Sequence, residues 1–318
     1  MPRLGSHMSI AGGYHKAVDA AHQASCEVVQ IFTTPPRQWP VDREVSATLP
    51  SAKPVKRRTN ATGKATRAPR TGGSSVITDE DVARFQAALD ELQISDPLVH
   101  ASYLINLASP DDALWKKSID ALVVELRRAE RLGIRMLVVH PGAFTTSSEE
   151  LGIQRVVQAL NEAERQTRGD HVVCLLENTS GQGSTLGYRF EHLAEMLSGT
   201  QQPNRFAVCI DTCHAFSAGY PLESAAEYRR TTAQLEKTVG RAAVRAIHLN
   251  DSATPFGSRK DRHEHIGRGE MGLAPFRRLL NDADFANVPM YLETEKGEEN
   301  GENWDVINLR VLRSLIKG

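Results

Sequence analysis

Cysteine is scarce in this chain. Four occur in 318 residues (Cys26, Cys174, Cys209 and Cys213), and none forms a Cys-x-x-Cys pair. A disulfide framework is therefore not expected, and a reducing compartment is. No apolar run approaches the roughly 18 residues that a membrane-spanning helix needs. The N-terminus lacks the charged-then-apolar pattern of an export signal, so the expectation is a soluble, cytoplasmic protein without membrane partners. An excess of charge is also missing. The formal net charge is −1, so bulk electrostatics neither favours nor excludes nucleic acid, and only local clustering can speak to it.

What the chain does have is length and 40% hydrophobic residues, enough for one large α/β barrel or two smaller domains. Short apolar runs recur at 2–4, Val28–Phe32, 97–99, Met136–Val139, 172–176, 206–210, 244–247 and 288–292. Most are rich in Val, Ile and Leu, as buried parallel strands are. Amphipathic stretches lie between them. Over 115–132 the apolar positions include Ile119, Leu122, Val123, Leu126 and Ala129, and 150–164 and 190–197 follow the same period. Eight strands alternating with helices predict an α/β fold, a (β/α)8 TIM barrel spanning 1–318 as a single domain. A doubly wound open sheet is the alternative, because periodicity does not count barrel closure.

One segment breaks the rhythm. Residues 45–77 show little apolar periodicity and carry Lys53, Lys56, Arg57, Arg58, Lys64, Arg67 and Arg70 with no acidic residue. They read as a basic, flexible insertion after the second strand. It is either a solubilising surface segment or an arm that touches phosphates nonspecifically. Thr78, followed by acids at 79–81, then caps a helix over Asp79–Leu92.

The chemistry is carried by where the polar residues fall. Candidate strands run directly into His100, His140, Glu177, Asp211, His248 and Glu293, with His214 three residues after Asp211. Asp261 and His263 follow the seventh strand. In a parallel barrel all strands end on one face, which holds the site. A lone His closing a strand is more often an ordinary polar residue than a ligand, and a lone Asp there is often a helix cap. Six consecutive strand ends make that reading poor for the set. Carboxylates gathered in one pocket repel each other and resist burial, and divalent cations resolve the conflict. Nine N/O donors without cysteine exceed one tetrahedral site and suit two or three metals, zinc, manganese or iron before calcium or magnesium. Such a site implies activated water attacking a phosphoryl or acyl centre. His15 and His22 read as helix-surface residues, His192 as part of a helix face, and Cys213 as a weak ligand candidate.

These residues resemble the endonuclease IV family of apurinic/apyrimidinic endonucleases. The matching stretches are Gly5-Ser6-His7-Met8-Ser9, Arg37-Gln38-Trp39, His100-Ala101-Ser102-Tyr103-Leu104-Ile105-Asn106-Leu107, His140-Pro141-Gly142, Glu177-Asn178-Thr179, Asp211-Thr212-Cys213-His214-Ala215-Phe216, His248-Leu249-Asn250-Asp251, Asp261-Arg262-His263 and Leu292-Glu293-Thr294. They run almost end to end. The resemblance implies three zinc ions, with manganese or iron an alternative at one of them. One would be held by His100, His140 and Glu177. Another would be held by Glu177, Asp211, His248 and Glu293, and the third by His214, Asp261 and His263. It implies DNA repair by hydrolysis of the phosphodiester 5′ to an abasic site, leaving a 3′-hydroxyl and a 5′-deoxyribose phosphate. Glu177 and Glu293 would be catalytic, and a 3′-phosphodiesterase activity on blocked ends is implied too. Double-stranded DNA would be the partner of a monomeric, nucleoid-associated enzyme. Arg37, Tyr103 and Leu104 would wedge into the gap left by the flipped nucleotide, and Gln182 would contact DNA. The chain departs from the family at Ala101, where some members carry Asp. It departs also at Thr34-Pro35, where Lys-Asn is common, and at Glu295, where Pro is usual. Two rivals stay open: a sugar isomerase or epimerase on the same barrel, and a metal-bound but catalytically idle DNA-binding protein.

Overall fold

The computed structural model of the protein describes residues 2–40 and 76–317. The expected basic insertion, up to residue 75, lies outside the described residues, while its last residue, Ile77, is buried in the core.

Eight parallel strands close into a barrel. They are β1 (Leu4–Met8), β2 (Val28–Phe32), β3 (Ser95–His100), β4 (Met136–Val139), β5 (Val173–Glu177), β6 (Phe206–Asp211), β7 (Val244–His248) and β8 (Met290–Leu292). Each pairs with its sequence neighbours, and β1 pairs with both β2 and β8. Helices return the chain after each strand: α1 (Tyr14–Gln23), α2 (Asp79–Leu92), α3 (Asp112–Arg131), α4 (Glu149–Gln166), α5 (Phe190–Ser198), α6 (Thr212–Ala218) with α7 (Ala225–Thr238), α8 (Ala274–Leu280) and α9 (Trp304–Leu315). The closed barrel removes the open-sheet alternative. Among the described residues no helix is long and apolar enough to cross a membrane.

Local sequence explains the elements. Thr78 and Asp81 form a reciprocal cap at the start of α2: Asp81 N donates to Thr78 Oγ1 at 3.1 Å and Thr78 N donates to Asp81 Oδ2 at 2.9 Å. In α3 the periodic residues Ile119, Leu122, Val123, Leu126 and Ala129 are all buried against the barrel. The first strand is the misplaced one. The apolar run at 2–4 pointed there, but β1 is Leu4–Met8, which includes Gly5, Ser6 and His7. Its inward face must stay small: a Cβ on Gly5 would run into the Val28 carbonyl.

Two cores result. Val28, Leu98, Val138, Leu175, Ala207, Cys209, Ala246 and Tyr291 fill the barrel's interior, and a larger apolar shell joins the barrel's outside to the helices. Side chains alternate in and out along a strand. The residue two positions after the last interior member of each strand from β3 to β8 therefore also points inward, one layer nearer the strands' C-terminal ends. That layer holds His100, His140, Glu177, Asp211, His248 and Glu293.

Candidate metal centre

Four of these six side chains, His100, Glu177, Asp211 and His248, are the last residues of their strands, and His140 and Glu293 directly follow theirs. Glu177 sits at the centre, fully buried. Its Oε2 lies 3.3 Å from His100 Nε2 and 3.1 Å from His140 Nε2. Its Oε1 lies 3.0 Å from His248 Nδ1 and 3.2 Å from His214 Nδ1. Glu293 Oε2 is 3.2 Å from the same His248 Nδ1. At the rim, Asp261 Oδ1 stands 3.2 Å from His214 Nε2 and 3.4 Å from His263 Nε2. Asp211 Oδ2 is 3.6 Å from His263 Nε2, so Asp211 faces both the central and the rim groups. Three sets have donor atoms within 4.8 Å of one another: His100, His140 and Glu177; Glu177, Asp211, His248 and Glu293; and Asp211, His214 and His263. All nine expected residues are thus brought to one end of the barrel.

The ring nitrogens beside backbone carbonyls fix what the other nitrogens present. His100 Nδ1 lies 2.8 Å from the Ala101 carbonyl, His214 Nδ1 is 2.9 Å from the Asn178 carbonyl, and His263 Nδ1 is 3.2 Å from the Glu293 carbonyl. A carbonyl only accepts, so each of these nitrogens carries the proton. A neutral imidazole so held presents a lone pair at its other nitrogen. At His100 that lone pair points at a carboxylate oxygen, which also only accepts. Either a proton or a cation must lie between them, so the donor set fits divalent metal ions. His100 is oriented by its own neighbour's carbonyl, that of Ala101.

The electrostatics agree. Burial opposes a charge on each of these groups. At Glu177 it is outweighed by His248 and His140, and at Glu293 by His248 and His100, so both carboxyls are held well below the usual carboxylate range. Burial likewise opposes charge on His214 and His248. Asp211 and Asp261 outweigh it at the first, and Cys209, Glu293 and Glu177 at the second, raising both well above an ordinary imidazole. The thiols do not compete, since burial pushes Cys209 and Cys213 up to about 12.

Sequence reasoning missed the residues that hold this layer in place. Asn250 Nδ2 donates to Asp211 Oδ2 at 2.6 Å, and Asn250 Oδ1 accepts from Glu293 N at 2.8 Å, linking β6 to β8. Asn178 Oδ1 accepts from Asp211 N at 2.6 Å. Asp211 also caps α6 through His214 N at 2.7 Å. His7 and Gln30 complete the layer from β1 and β2. The available signal was period two: each lies two positions after an inward residue, Gly5 or Val28.

Around the mouth, Arg37 is exposed, Leu104 half-buried and Tyr103 56% exposed. The Tyr103 ring stands over the cluster, its centroid 5.2 Å from that of His100 and 6.0 Å from that of His140. Ser102 Oγ lies 3.2 Å from the Pro36 carbonyl and 3.1 Å from that of Gln38, tying the Tyr103 loop to the Arg37 loop. Gln182 is exposed, and its Oε1 accepts from Asp261 N at 3.0 Å. Of the remaining histidines, His22 is exposed, and His192 is buried on α5, bonded to Gly187 N and Arg189.

Residues 62–315 match the family model of the xylose isomerase-like TIM barrels. The chain is 42% identical over 317 residues to a Chloroflexus aggregans protein named "Probable endonuclease 4", covering 100% of this chain and 99% of that one. A Citrifermentans bemidjiense protein of the same name is 40% identical over 318 residues, with both chains covered in full. Among solved structures, endonuclease IV from Thermus thermophilus superposes with a TM-score of 0.77 at 33% identity, covering 99% of this chain and 98% of that one. The match in sequence runs the full length, and the fold agrees over nearly all of it: the chain belongs to the endonuclease IV family.

Proposed function

We propose that this protein is a DNA repair endonuclease that hydrolyses the phosphodiester 5′ to abasic sites in double-stranded DNA, leaving a 3′-hydroxyl and a 5′-deoxyribose phosphate. The same site would trim blocked 3′ ends. The observation that carries the reading is Glu177, whose two buried oxygens each face ring nitrogens of a different pair of histidines, with more acids and imidazoles on either side. Three zinc ions are the proposed occupants. His100, His140 and Glu177 hold one. Glu177, Asp211, His248 and Glu293 hold the second, and His214, Asp261 and His263 the third, with Asp211 close enough to share. Such ions supply Lewis acidity and neutralise the charge of a phosphodiester.

The chain's own residues do the rest. An abasic nucleotide has no base to unstack or unpair, so extruding it into the barrel mouth costs less than extruding an intact one. Tyr103 and Leu104 fill the gap, and Arg37 meets the backbone. Glu293, at the edge of the buried layer, orients the attacking water. The rim group of His214, Asp261 and His263 exceeds what a one- or two-metal sugar isomerase requires. The reading includes a single domain over 1–318 acting as a monomer in the cytoplasm, at the nucleoid.

The test is incision of a labelled duplex bearing one tetrahydrofuran abasic analogue. Cleavage 5′ to the analogue is expected. Glu177→Gln should lower it about a thousandfold or more, and chelation should abolish it until metal returns. Folded, zinc-loaded protein that leaves the duplex intact would overturn the proposal, and a ketose/aldose panel would then test the isomerase reading.

A further inference from the structure

Gln30 lies on the inward face of β2 and is fully buried. It sits inside the run Val28-Val29-Gln30-Ile31-Phe32, where an amide has no packing purpose. All of its hydrogen-bonding groups toward the site are used. Oε1 lies 2.8 Å from His248 Nε2. Nε2 donates to Glu293 Oε1 and to His7 Nδ1, the latter at 2.8 Å. The orientation is forced: a carboxylate accepts only, so the amide NH2 must face Glu293, and the carbonyl oxygen must then face His248. His248 Nε2 therefore carries the hydrogen. Its Nδ1, 3.0 Å from Glu177 Oε1 and 3.2 Å from Glu293 Oε2, is then the nitrogen whose lone pair a cation takes in place of a proton.

His100, His214 and His263 have the same arrangement, but their ring hydrogens go to backbone carbonyls. His248 relies on a side chain. We propose that Gln30 is the positioning residue of the central metal group: it fixes His248 as the Nε2–H tautomer and couples it to Glu293, so that both donors face one cation. His7 guards the orientation from β1. Its Nδ1 accepts the second Gln30 hydrogen, since an amide NH2 only donates. The inference rests on the metal reading of this site.

The test measures metal rather than turnover. Wild type and Gln30→Met, which keeps the length and loses the hydrogen bonds, are equilibrated against a series of buffered free-zinc concentrations, and bound zinc per chain is counted. Loss of a partner behind a metal-bound imidazole typically weakens binding about 10- to 100-fold. One ion in Gln30→Met should weaken by that factor, with the others unchanged. Equal zinc isotherms for the two folded proteins would overturn the proposal. Nitrogen-15 spectra of the imidazoles in zinc-loaded wild type give a second readout that needs no variant. A proton on Nε2 of His248 is expected, and a proton on Nδ1 would overturn the assignment. Wild type that takes up no zinc would sink the metal reading itself, and the inference with it, an outcome distinct from equal isotherms.

Discussion

The Asp261 amide donates to Gln182 Oε1 at 3.0 Å, joining the loop after β5 to the loop after β7 across the mouth of the barrel. The Asp261 side chain is 41% exposed, and this bond restrains the backbone that carries the carboxylate facing His214 and His263. Gln182, expected from the family to touch DNA, thus has a second task. Gln182→Ala should reduce incision about 10- to 100-fold, as loss of a ligand's support does. Affinity for an abasic duplex, measured by fluorescence anisotropy in chelator, should stay within about twofold if the task is support of Asp261. A large loss of affinity would instead favour direct DNA contact.

Tyr103 is exposed above His100 and His140, where an aromatic ring serves packing poorly and an incoming duplex well. Tyr103→Ala should weaken binding to an abasic duplex by about 1–3 kcal/mol, the usual worth of an aromatic stacked on a base. Binding to an intact duplex should change far less. Comparing the two affinities at one salt concentration checks this, and an equal loss on both would assign Tyr103 to general backbone contact.

Glu125 predicts a pH dependence of stability. This carboxyl on α3 is fully buried and accepts from Thr33 Oγ1, and its Oε1 has no partner among the described residues. Burial pushes it up to about 7, against the pull of the Thr33 hydroxyl, the Arg128 guanidinium, the Thr34 hydroxyl and the more distant His100. In the unfolded chain an ordinary Glu titrates near 4.3. Between those values the folded state binds the extra proton, so this group's contribution falls as pH rises from about 4 to about 7 and is then flat. Glu125→Gln removes the dependence. In urea unfolding, the variant should gain on wild type by on the order of 1–3 kcal/mol between pH 5 and pH 8. A constant difference across that range would show that Glu125 stays ionised.

The basic segment gives a prediction from composition alone. Deleting 47–73 removes seven cations and no acid. If they meet the DNA backbone, affinity falls and its dependence on salt flattens, because fewer counterions are released on binding. Affinity unchanged at every salt concentration would make the segment a surface insertion.

The clustered histidines and carboxylates were legible in the sequence because two local signals coincide. An apolar run predicts a buried strand, and a His or carboxylate ending that run is conspicuous, as at Val99-His100 and Leu176-Glu177. Parallel closure then needs no further information to put all such ends on one face. Helix α2 was legible for a similar reason, since the Thr78 cap acts within three residues. The first strand was not. β1 is held by pairing with β2 and β8 and by the close approach at Gly5, which are contacts between distant parts of the chain, so its own residues carry little apolar signal. His7 and Gln30 were hidden in the same way. Gln30 is flanked by Val29 and Ile31 and looks like an interruption of a core strand until β8 brings Glu293 and β7 brings His248 against it. The sequence by itself determined which residue types stand at the strand ends, and hence the donor chemistry of the cluster. Only the tertiary structure decided which ring nitrogen faces the centre and which side chain supports each donor. Hydrogen-bond direction is a property of partners up to 263 positions apart, and no local pattern encodes it.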